Sequence, residues 1–234
     1  MKTELDADVA VRTTTECRRF GHPEFEVRFS SRTVSQDVDW LLRYLENRVS
    51  GGGKFQHGET MQVGWMVTML EEILEGKLRV KEPDMKVVPV QFIDSVTHTL
   101  LHLRTQKDVV ESLVPRVDPD FPSLVHSVVV HANYKSARRV LLTRAAAEGA
   151  DSGWWLTDLD DTERAQDPTR FSRTSLYQLG VDRPDLIKFF AVPAGLQVVI
   201  EDAYIGVIGA DGELKQASGS YLNALNRIRL DAVT

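Results

Sequence analysis

Apolar and polar residues follow two different periods along this chain, and the period changes where glycine or proline intervenes. Phe25, Val27 and Phe29 interleave with Glu26, Arg28 and Ser30, the period-two signature of a half-buried strand. The spacing then becomes helical: Val38, Leu41, Leu42, Leu45 and Val49 form one stripe, Ser35 reads as the N-cap, and Gly51-Gly52-Gly53 closes the helix. Alternation returns from Thr60 to Leu70, read as one central strand, and continues in strands around Leu78–Val80 and Val87–Phe92. Pro89 confines the last of these to an edge or a bulge. Short connections join these segments, which predicts an antiparallel meander. A second helix is expected over about Asp94–Val114, with Val96, Leu100, Leu103, Val110 and Leu113 on one side.

Two prolines and two acids in Asp118–Pro122 break any regular element and mark the domain boundary. Beyond it, Leu124–Val130 and Val140–Leu142 read as strands, the latter pairing with Trp154–Leu156 across the loop at Gly149. Thr174–Leu179 and Pro184–Phe190 read as short helices, and Leu196–Ile200 with Tyr204–Ile208 as a closing hairpin. A short amphipathic helix from Ser220 ends the chain. The expected architecture is α+β: an extended or disordered lead-in over residues 1–23, then two small domains, 24–117 and 123–234. Each is a mostly antiparallel sheet with packed helices.

One stretch departs from this ordinary pattern. Asp151-Ser152-Gly153 has turn chemistry, and Trp154–Thr157 is a strand whose neighbouring tryptophans must face opposite sides. Asp158, Asp160, Asp161 and Glu163 follow at once. Glu148–Asp167 holds seven acids against one base, a concentration as large as the formal charge of −6 on the whole chain. Trp154, Trp155, Asp158, Asp160, Asp161 and Glu163 are therefore the candidate partner-binding residues, forming an acidic and aromatic edge. Lys135, Arg138 and Arg139 supply the competing explanation, a basic patch that neutralises the loop internally. Isolated surface pairs stabilise by only about 0 to 1 kcal/mol, too little to account for the clustering.

The same stretch opens a resemblance. Asp151-Ser-Gly-Trp154, the acidic patch, Asp167-Pro168, Ser175-Leu176, Asp185-Leu186-Ile187 and Phe189-Phe-Ala-Val-Pro-Ala-Gly195 follow in an order similar to immunity family thirty-three of the bacterial polymorphic-toxin systems. The resemblance covers about Ser123–Gly212, with Trp155 standing where a polar or basic residue is expected. It implies a small α+β domain that binds and neutralises a toxin, with no catalytic residues.

Composition narrows the remaining chemistry. A pI of 5.6 and net negative charge argue against nucleic acid, whose binding depends on lysine and arginine releasing counterions, and favour a basic protein as partner. No window is apolar enough for a membrane span, and the acidic start lacks the features of a signal peptide. Cys17 is the single cysteine, so no intramolecular disulfide forms; a cytoplasmic protein, monomeric or a weak homodimer, is expected. The triple glycine follows a helix and lacks the Lys-Ser/Thr of a phosphate loop. The acids after Leu156 lack the sixth-position glycine and terminal glutamate of a calcium loop.

His98 and His102 stand four apart on the expected helix, where two metal ligands would share a face, with Asp94 the local carboxylate in register. No glutamate lies between them in the position of a metalloprotease base, so helix-surface histidines are the preferred reading and no cofactor is expected. The alternatives to an immunity protein are a metal-dependent hydrolase using these histidines, and a regulatory module that oligomerises through Trp65, Trp154 or Trp155.

Overall fold

In the computed structural model, which describes residues 8–161 and 167–233, the chain divides into one unit ending at Arg104 and another beginning at Thr105. The first unit is built on a mixed sheet. Strand β1 (Val9–Thr13) pairs antiparallel with β2 (Phe25–Ser30), so part of the expected lead-in is a sheet edge, followed by a 3-10 turn at Cys17–Phe20. Phe25, Val27 and Phe29 turn inward as their alternation requires. Helix α1 (Ser35–Ser50) buries the expected stripe; Val34, not Ser35, is its N-cap residue and makes no side-chain cap.

The stretch Thr60–Leu70 is a hairpin rather than one strand. β3 (Thr60–Val63) pairs with β4 (Met66–Ile73) through a two-residue turn at Gly64–Trp65, with Gly64 at φ 61°. The two-residue loop sets Val63 opposite Met66 and so moves the inward set from Met61 and Val63 to Met66, Thr68 and Leu70; because Val67 and Met69 are apolar too, the hydrophobic pattern alone does not reveal the shift. β5 (Lys77–Pro83) pairs antiparallel with β4 and parallel with β2, giving the order β1-β2-β5-β4-β3. The strand expected over Val87–Phe92 is reduced to β6 (Phe92–Ile93) on β5, because the preceding segment bends back, Gln91 O accepting from Asp84 N at 2.7 Å.

Helix α2 (Thr97–Glu111) begins later than its apolar stripe suggests. Ser95 Oγ accepts from Thr97 N, and the buried Glu82 carboxylate, reaching over from β5, accepts from His98 N and Thr99 N at 3.1 and 2.7 Å. These bonds satisfy amides that a helix N-terminus leaves without intrahelical partners. The division between the two units falls within α2, and the irregular segment Asp118–Pro122 lies in the second.

The second unit contains β7 (Leu113–Val114) and a seven-stranded sheet. Its strands in chain order are β8 (Ser127–His131), β9 (Val140–Arg144), β10 (Asp151–Asp158), β11 (Phe171–Ser175), β12 (Gln197–Ile200), β13 (Ile205–Gly209) and β14 (Gly212–Glu213). They lie in the order β11-β8-β10-β9-β12-β13-β14, all antiparallel except β8 with β10. β15 (Lys215–Gln216) pairs with β7. The expected helix at Thr174–Leu179 is half strand: β11 runs into Ser175, whose hydroxyl caps α3 (Leu176–Asp182) by accepting from Gln178 N at 3.0 Å. A 3-10 turn at Pro184–Phe189 and α4 (Tyr221–Val233) complete the unit.

One side of this sheet is core. Val128, Val140, Leu142, Trp154, Leu156 and Val198 are buried, as are Leu176, Leu179, Leu186 and Phe189 from the helical segments. On the other side, Leu141, Thr143, Trp155, Thr157, Phe171 and Val199 are half-buried or exposed.

Candidate protein-binding face

Asp151-Ser152-Gly153 is a built bulge at the start of β10. Asp151 Oδ1 accepts from Gly153 N at 2.8 Å, while Ser152 Oγ donates to Ser127 O at 2.7 Å and accepts from Trp154 N. The β8 register slips at this point, from Asp151 opposite Ser127 to Trp155 opposite Val129. Gly153 sits at φ 76° with Ala145 N donating to its carbonyl, and a Cβ there would lie 2.2 Å from Ala145 O. Only glycine has both the conformational freedom and the clearance for this position. The bulge sets the phase that turns Trp154 inward and Trp155 outward.

β10 is a central strand, flanked by β8 and β9, not an edge. Trp154, 1% exposed, donates from Nε1 to Phe190 O at 3.2 Å, and the buried Arg144 guanidinium stands 5.3 Å over its ring. Arg144 donates to Ser152 O and to Asp120 Oδ2 at 3.1 Å. Burial pulls the Arg144 pKa below its ordinary value while Asp120 opposes the shift. These contacts assign Trp154 to the core and remove it from the expected binding edge, because strand alternation leaves it no path to solvent.

Trp155 is 41% exposed. Its ring leans on Phe171 at 4.8 Å and 49°, so neighbouring strands hold the indole on the open face. Beside it is a cavity of about 490 Å³ whose lining includes Val129, Ala146, Ala150, Glu148, Asp151 and Arg173. Arg173 pairs with Asp151 and reaches Ser127 Oγ. Burial works against ionisation of Asp151, but the Gly153 N–H and the Arg173 guanidinium outweigh it and lower its pKa. Phe171 and Arg173 stand two apart on β11, in a stretch to which the sequence pattern assigns no element before the helix expected at Thr174.

The acids after Trp155 separate into different roles. Asp158 is buried, accepting from Asp160 N at 3.0 Å and Asn133 Nδ2 at 3.3 Å, so it too is corrected from the surface to the interior. Asp161 Oδ2 is held by Arg170 Nη2 at 2.8 Å and lies 3.3 Å from Nε2 of the buried His131. Asp160 stays at the surface, paired at 3.1 Å with Arg139, which also holds Glu201. Lys135 and Arg138 pair instead with Asp182 and Asp202. Glu163 lies outside the described residues.

In the first unit the histidine pair has a different surrounding from the one expected. His98 and His102 stack at 6.1 Å, but Asp94 is turned to Arg79 and Lys81, and the carboxylate beside His98 is Glu82, at 3.5 Å. The bond with Glu82 raises the His98 pKa, whereas burial, with the charge of His98 adding to it, lowers that of His102 to about 4. His102 is half-buried and packs edge-on to the buried Trp65 at 5.9 Å. Among the described residues, no group of three histidine, cysteine or acidic side chains is placed to hold a metal ion.

Residues 105–210 match the family model of the Imm33-like domain. The matched span lies within the second unit. The resemblance read over Ser123–Gly212 thus extends back into the second half of α2, and the Asp-Ser-Gly-Trp bulge and the open face both lie inside the matched span. No curated protein and no solved structure matches the chain. Among the described residues, no helix is long and apolar enough to cross a membrane.

Proposed function

We propose that the chain is an immunity protein that binds and neutralises a cognate bacterial toxin by occluding its active or binding surface. The observation that carries this reading is Trp155, an exposed indole braced by Phe171 on the open face of the Imm33-like domain. A rigid aromatic anchor within a charged surround is the anatomy of interface residues that dominate affinity. Glu148, in the lining of the same cavity, and Asp160, on the exposed loop at the other end of β10, add negative charge to this domain and favour a basic toxin. The role is binding; no catalytic step, cofactor or nucleic acid enters it.

The test is protection. The chain is co-expressed with the product of the neighbouring reading frame in a bacterial host, and growth is followed. Rescue by the wild type, lost in Trp155→Asp at unchanged expression and unfolding midpoint, is the expected result. No rescue by the wild type against a demonstrably toxic neighbour overturns the reading.

A further inference from the structure

We propose that the cavity beside Trp155 receives an arginine side chain of the partner, an assignment that rests on reading this domain as toxin-binding and names the chemistry of the contact. Three features point to a cation. The exposed indole face offers the negative face of a π-system, the group on which guanidinium ions stack best. The small side chains of Ala146 and Ala150 leave about 490 Å³ open beside it, within the range of about 300–1,000 Å³ usual for binding pockets.

The charges of the lining are the third feature. Arg173 is already matched by Asp151, whereas Glu148 makes no ion pair among the described residues. The Glu148 backbone is fixed by reciprocal bonds with Asp151, N to O at 3.1 and 2.9 Å, which hold this residue at the rim. A guanidinium lying on Trp155 is thus offered a carboxylate with no competing cation. An acidic group would meet Arg173 only by displacing Asp151, and would face Glu148 besides.

The test uses the full chain and no toxin, so it fails or succeeds separately from the protection assay. The amide peptide Gly-Arg-Gly is titrated into ¹⁵N-labelled protein while the indole N–H signals of the four tryptophans are followed, Trp155 being assigned from Trp155→Phe. The expected result is a saturable shift confined to Trp155, with Trp40, Trp65 and Trp154 as internal controls. It should weaken about three- to fivefold in Glu148→Gln, the size of one exposed ionic or cation–π contact. It should vanish in Ala146→Leu, which fills the cavity. A Trp155 signal that does not move overturns the proposal, as does an equal shift with the norleucine peptide or a larger one with the glutamate peptide. Peptide binding without protection would keep the pocket and reject the immunity reading; protection without peptide binding would do the reverse.

Discussion

The indole N–H of Trp154 donates to the carbonyl oxygen of Phe190, 3.2 Å away, and so joins two stretches on which the family resemblance rests. Arg144 closes the same junction. Its guanidinium covers the Trp154 ring, its carbonyl accepts from Gly195 N at 2.8 Å, and its own N–H donates to Leu196 O. The Asp-Ser-Gly-Trp and Pro-Ala-Gly elements are therefore structural devices that fix β9, β10 and the turn before β12 around a buried cation. The exposed Trp155 lies on the other side of the same strand.

Adjacent tryptophans should respond oppositely to truncation. Trp154→Ala removes a buried ring and leaves the Phe190 carbonyl and the Arg144 guanidinium without their neighbour, at a cost of about 3 to 5 kcal/mol. Trp155→Ala, on the open face, should cost less than about 1 kcal/mol. Urea unfolding of the two variants gives the comparison. Equal losses would contradict the inward–outward assignment.

Gly153→Ala should be among the most damaging single-methyl changes in the second unit. A left-handed backbone costs alanine about 1–2 kcal/mol, and a Cβ placed 2.2 Å from Ala145 O adds the strain of a backbone shift, about 1–3 kcal/mol. Gly149→Ala is the control: φ is 57° but no atom lies within 4 Å of the added carbon, so the conformational cost alone remains. Thermal unfolding should rank Gly153→Ala well below Gly149→Ala.

Local patterns were legible and nonlocal pairings were not. The opposition of Trp154 and Trp155 follows from strand geometry, and the pairing of β9 with β10 from the short loop between them. That β10 is central depends on its parallel partner β8, joined through the intervening β9, and nothing within Asp151–Asp158 signals it. The β3–β4 turn is hidden because both faces of β4 carry apolar residues, so the change of inward phase from Val63 to Met66 across Gly64–Trp65 leaves no gap in the pattern. The partners of the acidic loop are hidden for the same reason: Arg170, His131 and Asn133, which hold Asp161 and Asp158, come from the 3-10 turn Pro168–Arg170 before β11, from β8 and from the loop after it. A count of charges along the chain does not show which of them meet.

The histidine pair predicts a pH optimum of stability. His98, held by Glu82, binds its proton more tightly in the folded than in the unfolded state. Its contribution is fully present below the unfolded value of about 6.5 and is lost as pH rises through the folded pKa. His102, depressed by burial to about 4, acts in the opposite sense: between about 6.5 and 4 the unfolded chain takes up the proton first, so stability falls as pH falls. Melting temperature should accordingly peak near pH 6–7. His102→Leu should flatten the decline between pH 6.5 and 5, above the range in which the depressed carboxylates of Glu24 and Glu82 titrate. A decline of unchanged slope would assign the acid sensitivity to other groups.

Asp160 and Asp161, adjacent in sequence, should separate recognition from stability. Asp161→Asn weakens contacts with Arg170 and the buried His131 and should destabilise by about 1.5–3 kcal/mol, the range for hydrogen bonds to charged groups. Asp160→Asn gives up one exposed pair with Arg139 and should lie within about 0.5 kcal/mol of wild type. The order reverses in binding. Exposed rim charge acts on the association rate, so Asp160→Asn should slow association with the cognate toxin and flatten its salt dependence. Trp155→Ala, as the loss of an anchor, should raise the dissociation rate instead. Binding kinetics at two salt concentrations, with thermal unfolding alongside, separate these outcomes. If Asp160→Asn leaves association and its salt dependence unchanged while Trp155→Ala accelerates dissociation, the contact is centred on the indole and the acidic loop serves the fold alone.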